Sequence, residues 1–169
     1  MESVLSRILV NFSRTNVSDI FLDPFSGAAS LLIEACYIGA YPVGLEINPK
    51  MIIGGYHNVR SLNCTTIQLL IGDATKMPLQ DSSIDAISTD PPYGRSAGTF
   101  RRTLLELYSQ FLSESARVLK TRRYLTMCYP EKMSSLPHIA ENYGFKEVFR
   151  CKMRVHKALS RLISIFLLG

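Results

Sequence analysis

Short apolar runs alternate with amphipathic segments along most of this chain. The runs have the length and the Ile, Leu and Val content of strands, whereas apolar residues in the segments between them recur every three or four positions, as on one face of a helix. The runs that we expect to form strands are 19–23, 43–47, 67–71, 84–89, 124–128, 145–155 and 159–168. Strands that alternate with helices are typical of an α/β domain with a mostly parallel sheet.

The same periodicity predicts helices around these strands. They occupy 1–13, the residues after the first strand up to about 38, 49–62, 104–119 and 133–142. We expect the first helix to pack outside the sheet. Only a few residues separate the last two strands, and so short a link must turn back, which makes that pair antiparallel. Because we find no linker or repeat, we expect residues 1–169 to form a single domain.

Composition places the chain among ordinary globular proteins. It has 169 residues, of which 47% are hydrophobic, enough for one sizeable core. It lacks the apolar run of about 18 residues that a membrane span needs and the basic-then-apolar start of a secretion signal, so we expect a soluble, cytoplasmic protein without membrane contact. The four cysteines are scattered, with no C-x-x-C pair and no histidine cluster beside them, which predicts reduced thiols and no metal site.

Charge is distributed unevenly between the two halves of the chain. Residues 1–94 contain five Lys and Arg against nine Asp and Glu, a net charge of −4, whereas residues 95–169 contain 14 against five, a net charge of +9. A basic half favours a polyanionic partner, and an acidic half tolerates a cationic cofactor such as a sulfonium. A solvated surface without functional meaning would give the same asymmetry.

The predicted strand 84–89 leads directly into the sequence Asp-Pro-Pro-Tyr-Gly at positions 90–94. An exocyclic amine on a base is a poor nucleophile because its lone pair is delocalised into the ring, so a site that makes it react should accept its N–H groups and hold the ring flat. Asp90 offers a carboxylate oxygen, Pro91 a backbone carbonyl and Tyr93 an aromatic face. The prolines fix φ and lack N–H groups, which makes the turn stiff. The candidate catalytic residues are Asp90, Pro91, Pro92 and Tyr93.

Three acidic residues end the first three predicted strands. Asp23 precedes a turn of small residues, Glu46 lies at the end of the second strand, and Asp73 stands in a Gly-Asp-Ala sequence. Ligands of open parallel sheets lie beyond the carboxyl ends of the strands, where one carboxylate can accept both hydroxyls of a ribose and another can accept from an adenine amine. Glu46 would otherwise sit partly buried without a donor. Together the three acids outline a slot for a nucleoside.

Each of these features also has an ordinary structural explanation. Asp23 could cap the following helix, Asp73 suits a common loop, and the 90–94 turn suits a strand end with a capping carboxylate and a packed tyrosine. Gly54 and Gly55 within a predicted helix cost stability. Their simplest explanation is close packing against the turn that follows Asp23.

Taken in order, these motifs resemble those of the S-adenosylmethionine-dependent amino-methyltransferases. The matching residues are Asp23-Pro24-Phe25-Ser26-Gly27, Glu46, Asp73-Ala74 and Asp90-Pro91-Pro92-Tyr93-Gly94. Three further stretches are similar to the tRNA guanine-N2 methyltransferases that modify position 10 of archaeal tRNA. They are Lys50-Met51 with Gly54 and Asn58, Arg95-Ser96-Ala97, and the segment 154–161. The likeness covers nearly the whole chain; the Asp-Pro-Pro-Tyr turn indicates the chemistry, and segment 154–161 indicates the subfamily.

The resemblance implies a Rossmann-like class I methyltransferase fold, with a seven-stranded, mostly parallel sheet, an antiparallel terminal hairpin and helices on both faces. It also implies S-adenosylmethionine as the cofactor and methyl transfer to an exocyclic amine of a nucleic-acid base, with guanine N2 of tRNA as the first choice. The residues expected to bind the cofactor are Asp23, Pro24, Phe25, Ser26, Gly27, Glu46, Ile47, Asp73, Ala74 and Asp90. The residues expected to contact the RNA substrate are Gly94, Arg95, Arg101, Arg102, Arg154, His156, Lys157 and Arg161.

Two features depart from the family pattern. Ala29 stands where family members typically carry glycine, so we expect a modest change in cofactor affinity. Family members also have an RNA-binding THUMP domain ahead of the catalytic domain, whereas this chain begins at the methyltransferase itself; either the chain is a fragment, or an RNA-binding domain or subunit is supplied separately. The functions that stay open beside the first choice are methylation of adenine N6 in DNA or RNA, and a non-catalytic subunit that binds cofactor or RNA.

Overall fold

One mixed sheet organises the part of the chain that the computed structural model describes, which is residues 3–93, 103–156 and 159–169. Within these ranges the sheet has seven strands, β1 to β7 in chain order. Their bounds are Ile20–Asp23, Tyr41–Glu46, Gln68–Ile71, Ile84–Thr89, Leu119–Pro130, Phe145–His156 and Leu159–Leu168. The strand order is β3-β2-β1-β4-β5-β7-β6; the pairs from β3 to β5 are parallel, and β7 is antiparallel to both of its neighbours. The predicted sheet with an antiparallel terminal pair is confirmed.

Helices cover both faces of the sheet, because successive residues of a strand point to opposite sides. The helices α1 to α5 span Ser3–Phe12, Ser30–Ile38, Pro49–Ser61, Leu104–Val118 and Leu136–Glu141, and a single 3-10 turn spans Glu131–Met133. On one face, Phe21 of β1 belongs to a core with buried residues of α1, α2 and α3. On the other face, its neighbour Leu22 belongs to a core with buried residues of α4 and α5. Burial on both faces explains why the central strands read as continuous apolar runs.

Two elements differ from the sequence prediction. β5 begins at Leu119, directly after α4, and not at residue 124. Its first half is polar and irregular, with Arg122 at a φ of 59° and a register shift against β4, so it contains no apolar run that would reveal a strand. The helix predicted at 133–142 is shortened to Leu136–Glu141, because Pro137 has no N–H and is tolerated only in the first turn of a helix.

Gly55 of α3 packs closely against the turn between β1 and α2. A Cβ at position 55 would lie 3.2 Å from Leu69 Cδ1, 3.5 Å from the Gly27 carbonyl oxygen and 3.6 Å from the Ala29 Cβ. Ala29 is fully buried at a φ of 70°, a conformation that favours glycine. The absence of a side chain at position 55 therefore makes room for the methyl group of Ala29. The expected close packing is confirmed for Gly55 and is wrong for Gly54, which has nothing within 4 Å of its Cβ position.

Alanine at each of these two glycines should separate helix propensity from packing. Gly54→Ala is expected to raise the free energy of unfolding by about 1 kcal/mol, because alanine is the better helix former and its methyl group meets no neighbour. Gly55→Ala should gain less, since its methyl group must displace Leu69. Urea unfolding of the two variants measures the difference, and an equal gain in both would contradict the close approach of α3 to the turn.

Candidate active site

The carboxyl ends of β1 to β4 bring four acidic residues to one edge of the sheet. Asp23 and Glu46 are the last residues of β1 and β2, Asp73 follows the end of β3, and Asp90 directly follows β4. The charges of Asp90 and Glu46 both raise the pKa of Asp23, so both carboxyl groups lie within electrostatic reach of Asp23. The strand order reverses between β1 and β4, and such a reversal opens a ligand crevice at this edge.

Asp23 is almost fully buried and ties β1 to β4. Its Oδ1 accepts hydrogen bonds from the Thr89 hydroxyl at 2.8 Å and from the Phe25 backbone N–H at 3.1 Å. Burial, which outweighs these two hydrogen bonds, raises the pKa of Asp23 to about 7. Asp23 does not cap α2, because Ala29 occupies the N-cap position and has no side-chain cap. The carboxyl group instead holds the turn that follows it.

This turn directs small residues and a backbone N–H toward the crevice. The Ser26 N–H donates to the Leu45 carbonyl at 2.8 Å, which fixes the turn to β2. The Ser26 hydroxyl oxygen is buried and has no hydrogen-bond partner within the described ranges. Gly27 has a φ of 48° and donates its N–H to Glu46 Oε2 at 3.0 Å. A Cβ at position 27 would lie 3.7 Å from Met51 Cε, and this φ is one that L side chains rarely adopt, so the turn favours glycine here.

Both carboxylate oxygens of Glu46 already accept a backbone N–H. Oε2 accepts from Gly27 at 3.0 Å and Oε1 accepts from Asn48 at 2.9 Å. The expectation that Glu46 would lack a donor is therefore wrong, since the chain's own turns supply two. A carboxylate oxygen has two lone-pair directions, so each oxygen can still accept a hydroxyl from a ligand. Asp73 is held similarly, because its Oδ1 accepts from the N–H and the hydroxyl of Thr75 at 2.8 Å and 2.7 Å.

The other predicted cofactor residues differ in their surroundings. Pro24 and Ala74 are buried, whereas Ile47 is exposed. The ring of Phe25 packs edge to face on Phe111 of α4, with centroids 5.3 Å apart. Contacts between any of these residues and a cofactor stay predictions.

Asp90 has one paired and one unpaired carboxylate oxygen. Oδ2 accepts a hydrogen bond from Arg161 Nη1 at 3.0 Å. Oδ1 is buried and has no hydrogen-bond partner among the residues that the structure describes. Burial raises the pKa of Asp90, and the Arg161 guanidinium opposes that rise. A buried acceptor without a donor is costly, so Oδ1 is where a ligand N–H would be accepted.

Two tyrosines hold the turn after Asp90. The Tyr93 hydroxyl accepts a hydrogen bond from Arg161 Nη1 at 3.3 Å, and Tyr108 of α4 donates its hydroxyl to the Pro92 carbonyl at 3.0 Å. Burial and the charge of Asp90 raise the pKa of Tyr108 far above its ordinary value, so this hydroxyl stays a donor. No pattern in the sequence reveals this contact of Tyr108, because its spacing in the helical stripe of α4 is that of a core residue.

The residues predicted to contact RNA have different positions. Arg154 is exposed on β6. The side chain of Arg161 is only 13% exposed, and its guanidinium pairs with Asp90. Its predicted phosphate contact is untested, and the structure gives it a partner that the sequence did not suggest. Of the others, only the backbone of His156 is described, and Gly94, Arg95, Arg101, Arg102 and Lys157 lie outside the described residues.

The described ranges contain no feature typical of a membrane span or of a metal site. No helix there is long and apolar enough to cross a membrane. No group of three or more His, Cys, Asp and Glu side chains is arranged to hold a metal ion there. All four cysteines are free thiols.

Curated proteins with related sequences are named as tRNA-modifying enzymes. The chain is 34% identical over 165 residues to the tRNA (guanine(10)-N2)-dimethyltransferase of Methanothermobacter thermautotrophicus, in a match that covers 98% of this chain and 48% of that protein. It is 35% identical over 163 residues to the protein of the same name from Pyrococcus abyssi, covering 95% and 48%. The chain spans about half the length of these relatives. Neither name describes a separate RNA-binding subunit, so that expectation has no support.

A solved structure and a family model agree with the predicted fold. TrmN from Thermus thermophilus superposes with a TM-score of 0.82 at 18% identity, covering 100% of this chain and 49% of that one. At this level of identity the likeness concerns the fold alone, and the predicted class I methyltransferase fold is confirmed. Residues 1–161 match the family model described as UPF0020, RMKL-like, methyltransferase domain. The chain therefore belongs to the UPF0020 family of RMKL-like methyltransferase domains.

Proposed function

We propose that this chain is a domain that transfers a methyl group from S-adenosylmethionine to an exocyclic amine of a nucleic-acid base, with guanine N2 of tRNA as the acceptor. The observation that carries the proposal is the buried, unpaired Oδ1 of Asp90, which lies in the same turn as Tyr93 and at the same sheet edge as Glu46. Relatives named as tRNA (guanine(10)-N2)-dimethyltransferases support the choice of base.

The ends of β1, β2 and β3 suit a nucleoside cofactor. Each carboxylate oxygen of Glu46 has a second lone pair, which can accept a hydrogen bond from one of the two ribose hydroxyls. In the turn that follows β1, the unpaired Ser26 hydroxyl offers a further polar contact. Asp73 and Ala74 follow β3, which pairs directly with the strand that ends in Glu46. When bound, S-adenosylmethionine would supply an electrophilic methyl group on a sulfonium.

Asp90 is suited to hold the acceptor amine and then to take its proton. Its Oδ1 accepts one N–H of the amine, the Pro91 carbonyl accepts the other, and Tyr93 stacks on the base. Alignment of reactants can lower a barrier by about 7–11 kcal/mol in favourable cases, so a stiff turn, held by the bond from Tyr108, matters more than a strong base. The nitrogen becomes acidic only as it gains the methyl group, and a carboxylate with a raised pKa can then accept the proton.

Asp90→Asn and Glu46→Gln should separate the chemical step from cofactor binding. Asp90→Asn keeps the shape of the side chain but removes the charged acceptor, so we expect turnover to fall about 100-fold or more with cofactor affinity nearly unchanged. Glu46→Gln should weaken cofactor binding about 10- to 100-fold, the size of a hydrogen bond to a charged group. Nucleoside analysis of unmodified tRNA after incubation measures turnover, and calorimetric titration with S-adenosylmethionine measures affinity.

Three results would change this assignment. Equal loss of cofactor affinity in both variants would overturn the division of roles between Asp90 and Glu46. N6-methyladenine in place of N2-methylguanine, with DNA tested in parallel, would identify a different acceptor amine. Tight cofactor binding without methylation of any nucleic acid would indicate a non-catalytic subunit.

The basic half of the chain is proposed to hold the RNA. Residues 95–169 have a net charge of +9, and they form β5, β6 and β7 on one side of the sheet. Arg154 is exposed on β6, the edge strand, and stands opposite Ser160, one residue before Arg161. The side chain of Arg154 therefore lies on the opposite face of the hairpin from that of Arg161, at the same end of the sheet as the crevice.

Arg154→Met should flatten the salt dependence of tRNA binding. The logarithm of the binding constant falls linearly with the logarithm of salt concentration, and each phosphate contact contributes about 0.7–0.9 to the slope. Arg60→Met is the matched control, because Arg60 lies in the last turn of α3, which begins at the crevice and runs back toward the opposite sheet edge. Fluorescence anisotropy at several potassium chloride concentrations gives both slopes; binding that is independent of salt, or an equal change in both variants, would contradict the phosphate contact.

A further inference from the structure

The terminal hairpin returns Arg161 to the crevice. Because β7 is antiparallel to β5, its first residues lie at the edge where the parallel strands end, and Arg161 stands opposite Pro130, the last residue of β5. From this position its guanidinium reaches Asp90, 71 positions earlier in the chain. The contact thus depends on the register of the hairpin and on no local sequence feature.

One nitrogen of Arg161 binds two groups of the site. Nη1 donates to Asp90 Oδ2 at 3.0 Å and to the Tyr93 hydroxyl at 3.3 Å, and it has one N–H for each. The guanidinium carbon lies 5.8 Å from the centroid of the Tyr93 ring. Since Oδ2 is engaged in a charge-assisted hydrogen bond, rotation of the carboxylate would lose that bond. Oδ1 is therefore held as the acceptor that stays available.

The pair is largely shielded from water. The side chains of Arg161 and Asp90 are 13% and 17% exposed, so their attraction is screened less than that of a surface pair. The other titratable groups that face Asp90 from the packed elements in the described ranges are Asp23 of β1, Cys128 of β5 and Tyr108 of α4. Burial raises the pKa of both Cys128 and Tyr108, so both stay neutral, and Asp23 adds a like charge when ionised. Within the described ranges, the positive charge that lowers the pKa of Asp90 most is that of Arg161.

We propose that Arg161 is a positioning residue for methyl transfer, which keeps the Asp90 carboxylate ionised and turned so that Oδ1 meets the acceptor amine, and which fixes Tyr93 at the same time. This inference rests on the proposed function and differs from the phosphate contact that the sequence suggested for Arg161. Lysine would not reproduce the arrangement, because an ammonium is a point charge on a flexible stem and a guanidinium is a planar fork.

Arg161→Met should change the pH dependence of turnover. Without the guanidinium, Asp90 loses the largest interaction that opposes the effect of burial, and the acid limb of the kcat profile should move up by about 1–3 pH units, the effect of one opposite charge at contact. At neutral pH we expect kcat to fall about 10- to 100-fold, with cofactor affinity unchanged. Arg161→Lys keeps the charge, so its acid limb should stay near that of the wild type while kcat falls less. Methylation of unmodified tRNA across a pH series measures each profile.

Arg154→Met is the matched control in this series. It removes the same charge from the neighbouring strand of the hairpin, so it should raise KM for tRNA without moving the acid limb. If Arg154→Met moved the limb as far as Arg161→Met, the shift would come from general surface charge. If neither variant moved it, Arg161 would not set the ionisation of Asp90, and the proposal would fail.

A stability measurement tests the pair without any methyl transfer. In Arg161→Met the folded-state pKa of Asp90 lies further above its unfolded value, so the native state keeps a proton that the unfolded chain releases, and stability falls as pH rises through the folded pKa. The double variant Arg161→Met/Asp90→Asn lacks the titration of Asp90, so its stability should depend less on pH than that of Arg161→Met. Asp23 is present in both variants, so its titration does not account for the difference. The wild type and Asp90→Asn give the same comparison with the guanidinium present, and their slopes should differ less than those of the two Arg161→Met variants. An equal difference in both comparisons would refute the coupling. If the differences are unequal but the wild type methylates no nucleic acid, the proposed function fails while the pairing stands.

Discussion

Parallel pairing of β1 with β4 is the constraint on which the site depends. Their register runs through two residue pairs, Phe21 with Ala86 and Leu22 with Ile87. It stops before Asp23, where the strand order reverses and the connections leave toward opposite sides. Beyond that point the hydrogen bond from Thr89 to Asp23 continues the link between the two strands. The crevice therefore opens between strand ends that are still tied together, and both the turn after Asp23 and the turn that contains Asp90 start from this tie.

Four carboxyl groups at one edge would repel one another if each were simply ionised and unpaired, and the fold stabilises them in three different ways. Glu46 and Asp73 accept backbone N–H groups from the turns beside them. Asp23 is buried beside Thr89 with its pKa raised to about 7, so near neutral pH it is protonated part of the time and its repulsion of Asp90 is reduced. Asp90 is balanced by the guanidinium of Arg161. This arrangement leaves Asp90 with one unused acceptor, as the proposed binding of an amine requires.

Features that depend on neighbouring residues could be predicted from the sequence, and those that depend on long-range register could not. Asp23 and Glu46 end apolar runs, and both end strands in the structure. The first half of β5 was missed because its residues are polar, and its pairing with β4 is irregular. Glu46 seemed to lack donors because the two N–H groups come from turns whose conformation no pattern specifies. The sequence does not distinguish Arg161 from the other basic residues of 95–169. Its contact with Asp90 depends on the register in which β7 pairs with β5. Tyr108 looked like core for the same reason, because its contact with Pro92 is a property of how α4 packs.

The strand order turns the charge asymmetry of the sequence into an asymmetry in space. Residues 1–94, with a net charge of −4, contain β1 to β4, and residues 95–169, with a net charge of +9, contain β5 to β7. In the sheet these sets do not interleave: β3, β2, β1 and β4 occupy one side, and β5, β7 and β6 the other. A cationic cofactor and a polyanionic substrate would each meet the half of opposite sign. Asp90 ends the last strand of the acidic half and Arg161 belongs to the basic half, so their ion pair crosses the boundary where the two ligands would have to meet.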